Sequence, residues 1–172
     1  MGYESNSRNE GELMPKASLV AIAERPGERK KVRVVHDTVI FVATSEQTGG
    51  AFSLFDNYTP PGAGIPPHFH TREEESFWVI EGTFRFWVDG EELDLGPGGF
   101  VFMPRNTPHG FTNIGDETGR MLIQTTPGGF DVFFTEVGEP IIEGEVPGPP
   151  DVDRVIAISA KHGIEFLPPP AE

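Results

Sequence analysis

The chain of 172 residues contains no cysteine. That absence excludes disulfides, thiolate nucleophiles and thiolate metal ligands, so any bound metal must be held by His, Asp or Glu. No apolar run approaches the roughly 18 residues that a membrane-spanning helix requires. The N-terminal stretch MGYESNSRNEGELMPKA is polar and lacks the apolar core of a signal peptide, so a cytoplasmic protein is expected. Positive charge is also scarce. Thirteen Lys and Arg face 27 Asp and Glu, a formal net charge of -14. Such a chain repels phosphate backbones and anionic lipid, which argues against nucleic-acid and membrane partners.

What the chain does contain is turn residues and phenylalanine: 21 Gly, 17 Pro and 14 Phe. This composition predicts many turns and little helix. Runs rich in β-branched and aromatic residues read as strands over Val32 to Val35, Thr38 to Thr44, Ala51 to Thr59, Ser76 to Ile80 and Thr83 to Val88. Glu91 to Leu95, Phe100 to Met103, His109 to Asn113 and Arg120 to Thr125 continue the series. Pro60 to Pro67 reads as a loop. In Thr83 to Val88, Phe84, Phe86 and Val88 share one face and Arg85 and Trp87 the other, the period of two of a pleated strand. Asp89-Gly90 between two such runs is a strong two-residue hairpin signal, because that turn needs positive φ. Many short strands at this spacing imply an all-β sandwich or barrel.

The expected organisation is a disordered segment over residues 1–16, a barrel over 17–140, and a proline-rich linker with a C-terminal helix over 141–172. Phe130 to Val137 is compatible with a strand or a helical turn. Asp151 to Lys161 reads as a helix that packs on the barrel, capped by Asp151 and stopped by Gly163. No internal repeat suggests a second barrel.

Five histidines are present. His68 and His70 stand two apart, which on a strand points both imidazoles to one face. A third, His109, can converge on them from another strand. The run Glu73-Glu74-Glu75 lies just after the pair and offers a carboxylate. Imidazole nitrogens with one carboxylate oxygen suit a borderline divalent ion. His36 and His162 read as structural.

Two blocks carry this further. The first is Gly62, five residues, His68-Phe-His70, four residues, Glu75, six residues, Gly82. The second is Gly98, five residues, Pro104, Asn106, His109, Asn113. They strongly resemble the two motifs of the cupin superfamily, over roughly residues 32–127. The one departure is Asn106, where that family usually has Gly; Asn is the next-best residue for a left-handed turn. The resemblance implies an all-β double-stranded β-helix, the jelly-roll barrel, with a short C-terminal helical extension. It implies a metal held by His68, His70, Glu75 and His109. The six-residue gap to Gly82 selects Glu75, and Glu74 would face the other way. One divalent transition ion is implied, with Fe, Mn, Ni, Co, Cu and Zn all compatible.

The tail after Thr126 resembles that of small single-domain cupins of the quercetin 2,3-dioxygenase-like kind. That resemblance implies a dioxygenase whose aromatic, phenolic or flavonol-like substrate chelates the metal. Dioxygen is then the co-substrate, and Glu75 or Glu74 accepts the hydroxyl proton, with Glu75 favoured. The competing classes are an oxygen-independent lyase, isomerase or decarboxylase, and a non-catalytic binder of small molecules. Phe52, Phe77, Val79, Phe84, Phe86, Phe102 and Phe111 are the expected pocket wall, with few inward Lys or Arg to hold a phosphate. A homodimer is expected by analogy with barrels of this class.

Overall fold

The computed structural model describes residues 19–25, 27–144 and 148–168. The segment expected to be disordered, residues 1–16, lies outside the described residues. Residues 19–25 carry no regular secondary structure.

Eleven strands and two helices are described. In chain order the strands are β1 (Lys31–Val34), β2 (Asp37–Ala43), β3 (Ser53–Thr59), β4 (Gly64–His70), β5 (Glu74–Glu81) and β6 (Phe84–Val88). They continue with β7 (Glu91–Leu95), β8 (Phe100–Met103), β9 (His109–Asn113) and β10 (Gly119–Thr126). Then come α1 (Phe130–Val137), α2 (Val152–Lys161) and β11 (Ile164–Phe166). One antiparallel sheet has the order β1-β2-β3-β10-β5-β8, and the second has the order β11-β4-β9-β6-β7.

Local chemistry explains the elements. Asp89 (φ 47°) and Gly90 (φ 91°) form the positive-φ turn between β6 and β7, as their sequence requires. Along β6 the pattern is buried Phe84, exposed Arg85, buried Phe86. Residues from the inner faces of both sheets form one core that includes Val39, Phe55, Phe77, Phe84, Phe86 and Met121. Phe55 is its aromatic centre, with edge-on contacts to Phe41 at 5.6 Å and Phe134 at 4.7 Å.

Two elements depart from expectation, at β4 and β11, and a third, compatible in sequence with strand or helical turn, is settled. The Pro60 to Pro67 stretch is not all loop, since β4 begins at Gly64 and runs through Pro66 and Pro67. Prolines are tolerated there because pairing to β9 is irregular between Ile65 and His68, and no N–H is required of them. On the other side, Pro67 is asked only to accept: the Leu167 N–H donates to its carbonyl. Phe130 to Val137 is a helix, with Phe130, Phe133, Phe134 and Val137 buried at i, i+3, i+4, i+7. Beyond α2, Ile164–Phe166 is a strand, pairing antiparallel with His68 to His70 and closing that edge of the second sheet.

The C-terminal helix is built as expected. The Asp151 carboxylate accepts from the Arg154 N–H at 3.0 Å, and Gly163 (φ 80°) provides the left-handed exit. Arg154 donates to the carbonyls of Glu136 and Val137, and Lys161 and His162 both meet the Glu136 carboxylate. These contacts lay α2 against α1, across the mouth of the barrel.

Candidate metal centre

His68 and His70 lie on β4, His109 on β9 and Glu75 on β5, so both sheets contribute. His68 and His109 are direct partners across β4 and β9. All four side chains are buried, and one donor atom from each lies within 4.8 Å of the others. The spacings between donors are short: His68 Nε2 to His70 Nε2 3.1 Å, His70 Nε2 to Glu75 Oε2 3.4 Å, and His109 Nε2 to Glu75 Oε2 3.0 Å. Ligands bound at about 2.0–2.1 Å stand roughly 2.8–3.0 Å apart along the edges of an octahedron and roughly 3.3–3.4 Å apart along those of a tetrahedron. The donors are therefore already at the spacing that a single ion imposes.

The tautomers also fit. His68 Nδ1 lies 3.0 Å from the Pro66 carbonyl and His109 Nδ1 lies 2.8 Å from the Thr107 carbonyl. A carbonyl only accepts, so each Nδ1 carries a proton; the His68 Nε2 lone pair then faces inward, while His109 Nε2 donates to Glu75 and would offer its lone pair to an ion that displaces that proton. Burial, aided by the neighbouring His109 and His70, pushes His68 down to about 3, so it is a neutral ligand at physiological pH. Burial alone would raise Glu75, but the charge of His70 and the hydrogen bond from His109 outweigh it and hold the carboxyl at about 2. His109 is displaced upward: burial lowers it, and the hydrogen bond and charge of Glu75 overcome that. The donor set and its protonation thus suit a divalent ion.

The neighbouring glutamates divide by strand parity. Glu74 faces outward and meets Arg105 at 3.3 Å. Glu73 is buried, which was not anticipated. Its Oε2 lies 3.7 Å from His70 Nδ1, and neither atom has a hydrogen-bond partner among the described residues.

The cluster opens on an enclosed space of about 80 Å³ between the sheets, roofed by the helices. Of the seven residues expected in its wall, Phe77 and Phe111 line it. The other five lie elsewhere. Phe84 and Phe86 are fully buried further along the barrel, where β6 packs against β9. Val79 is core at the level of Met121, one inward position beyond Phe77. Phe102 pairs with Ser76, on the outward face of the sheet, and is half exposed. Phe52 precedes β3, and its carbonyl accepts from the Thr48 hydroxyl. Much of the remaining wall comes from elements the composition did not point to: Phe130, Phe133 and Phe134 of α1, Val155 and Ser159 of α2, and Ile164 and Phe166 of β11, with the stretch from β1 to β4 supplying the rest. The i, i+3, i+4 spacing of the α1 phenylalanines is the signal that identifies that helix and its buried face. Among the described residues, no Lys or Arg lines the space.

Comparison with known proteins agrees with this geometry. Residues 58–124 match the family model described as the cupin domain. A quercetin 2,3-dioxygenase of Bacillus subtilis is 34% identical over 105 residues, covering 61% of this chain and 31% of that enzyme. The chain therefore spans about a third of that relative's length. The structure of KdgF from Halomonas sp. superposes with a TM-score of 0.59 at 21% identity, over 66% of this chain and 99% of that one. A predicted oxalate decarboxylase from Thermotoga maritima gives a TM-score of 0.57 at 18% identity, over 62% and 99%. At these identities the solved structures speak to fold alone. Residues 58–124 thus match a cupin domain, and the two antiparallel sheets share the fold of these neighbours.

Proposed function

We propose that this protein is a metal-dependent dioxygenase acting on a phenolic, flavonol-like substrate that chelates the metal through its oxygens. The observation that supports this reading best is a buried His68, His70, Glu75, His109 set opening on an aromatic cavity with no Lys or Arg in its wall among the described residues. A divalent ion held there supplies Lewis acidity towards a coordinated hydroxyl and a redox route to dioxygen. The protein's own part is positioning and proton handling. Phe77, Phe111 and the α1 phenylalanines hold an aromatic ring and keep water away. Glu75 Oε2 faces two histidines, which leaves Oε1 to receive the proton of the substrate hydroxyl. In this reading the partners are the small-molecule substrate and dioxygen.

A second reading has one observation in its favour. The space of about 80 Å³ holds only a few water molecules, well short of the roughly 300–1,000 Å³ of pockets for drug-sized ligands. A small oxygen-rich compound, transformed without dioxygen, fits with no movement. A flavonol requires α2 to yield, since Val155 and Ser159 form part of the wall.

Oxygen uptake separates the readings. Protein loaded in turn with each candidate metal is offered 3-hydroxyflavone in an oxygen electrode. Consumption of oxygen matching loss of flavonol is the expected result. Anaerobic turnover of small acids, or tight binding with no turnover, would reject the dioxygenase.

A further inference from the structure

The cavity has a second polar end. Besides His68, His70 and Glu75, the polar side chains in its lining among the described residues are Asp37, Asn57 and Ser159. Asp37 begins β2 and Asn57 lies on β3. Glu75 is level with Thr125, and Thr125 with Ser53; Asn57 stands four residues further along β3 than Ser53. At about 3.3 Å per residue, the Asp37–Asn57 end lies on the order of 13 Å along the barrel from the level of the metal-facing carboxylate.

One oxygen of Asp37 is committed. Its Oδ2 accepts from Asn57 Nδ2 at 2.9 Å and from Thr59 Oγ1 at 3.0 Å. Asn57 and Thr59 are themselves almost wholly buried, and Asn57 Nδ2 also donates to Thr59 Oγ1. Among the described residues, no hydrogen bond reaches Asp37 Oδ1. Nothing in the barrel needs a carboxylate here, because an amide or hydroxyl oxygen would accept the same two bonds without the cost of burying charge. That cost is visible: burial pushes Asp37 up to about 6, against the hydrogen bonds from Asn57 and Thr59 that lower it. Ser159, which lines the same cavity, is 1% exposed and its hydroxyl has no partner among the described residues. Buried polar groups without partners are uncommon unless something else completes them.

We propose that Asp37, with the Ser159 hydroxyl as a second contact, is a specificity-determining subsite that receives a hydroxyl at the substrate end remote from the metal. The ligand class is then an apolar, ring-built molecule with a chelating oxygen pair at one end and a hydrogen-bond-donating hydroxyl at the other. This rests on the functional reading above, since it takes the chelating end of the substrate to sit at the histidines. Asp37 Oδ1 accepts the hydroxyl proton in a hydrogen bond, and no covalent step is involved. Asn57 and Thr59 are positioning residues that hold the carboxylate in place.

The test uses the metal-loaded protein and two probes with the same ketone–enol chelating pair, 3-hydroxyflavone and its 4′-hydroxy counterpart. Kd is measured by calorimetry without oxygen, and kcat/KM with it. A site that hydrogen-bonds a hydroxyl discriminates strongly against the analogue lacking one, so wild type should prefer the hydroxylated probe by about tenfold or more. Asp37→Asn keeps the oxygen that Asn57 and Thr59 need and replaces Oδ1 by a donor. It should lose most of that preference. Ser159→Ala should lose part of it. A preference unchanged in both variants, or an equal loss for both probes, overturns the subsite and leaves the dioxygenase reading intact. Failure of both probes to bind wild type overturns the flavonol reading and the subsite with it.

Discussion

Replacing Asp37 by Asn should stabilise the protein in neutral solution and change little in acid. In the native state the Asp37 carboxyl is raised from its ordinary 3.8 to about 6 by burial, with hydrogen bonds from Asn57 and Thr59 opposing. The folded value thus lies above the unfolded one. Between about pH 4 and pH 6 the native state keeps a proton that the unfolded chain has lost. Stability therefore falls as pH rises through that window, and the full penalty is present above it. About two pH units at 1.36 kcal/mol each correspond to roughly 3 kcal/mol. Asn has the same shape and cannot ionise, so it carries no such slope. Urea unfolding of both proteins from pH 4 to pH 8, with chelator present to remove metal linkage, measures the difference at each pH. Other carboxylates contribute equally to both and cancel; Asp131, drawn down by Ser53 and Ser45 despite its burial, is one. The variant should gain about 3 kcal/mol relative to wild type between the ends of the range. A difference that does not change with pH would refute the reasoning. The same substitution is expected to lose substrate discrimination, a trade of function against stability that active sites commonly show.

Other outcomes follow from the same coordinates. A divalent ion at about 100 times its Kd should stabilise wild type by roughly 2.7 kcal/mol, and His109→Ala should abolish both that shift and metal content by elemental analysis. Glu75→Gln should cost more in turnover than in metal content; equal losses of the two would reject its role as base. Asn106 has φ 62°, so Asn106→Ala should lower stability by roughly 1 kcal/mol while Asn106→Gly stays within a few tenths, read by chemical denaturation. Phe134 packs edge-on against Phe55 at 4.7 Å and Phe130 at 4.9 Å. Phe134→Ala should destabilise by about 3–5 kcal/mol, and thermal unfolding unchanged by the substitution would contradict the packing described.

Much of this molecule is legible along the chain because its signals are local. Alternation in Phe84 to Val88, the Asp89-Gly90 turn and the cap at Asp151 each involve neighbours a few residues apart, and each element formed where expected. The spacing of His68, His70 and Glu75 decides facing by strand parity alone. Parity also separates Glu75 from Glu74, which turns out to Arg105. The left-handed conformation at Asn106 follows from side-chain sterics at one residue.

What only the tertiary structure decided depends on which distant segments meet. Composition makes fourteen phenylalanines equal candidates for a cavity wall. The fold sends Phe84 and Phe86 into the core, turns Phe102 outward, and brings Phe130, Phe133 and Phe166 to the site from beyond the barrel strands. Parity along one strand names a face. How far along the barrel that face lies is set by register between strands, which Glu75–Thr125–Ser53 illustrates. Buried Glu73 and the Asp37–Asn57–Thr59 trio were likewise hidden, because a carboxylate's burial is a property of what packs over it. The metal-binding pattern is thus inscribed in spacing and side-chain chemistry. The shape and polarity of the space it faces arise from long-range packing of α1, α2 and β11 on the two sheets.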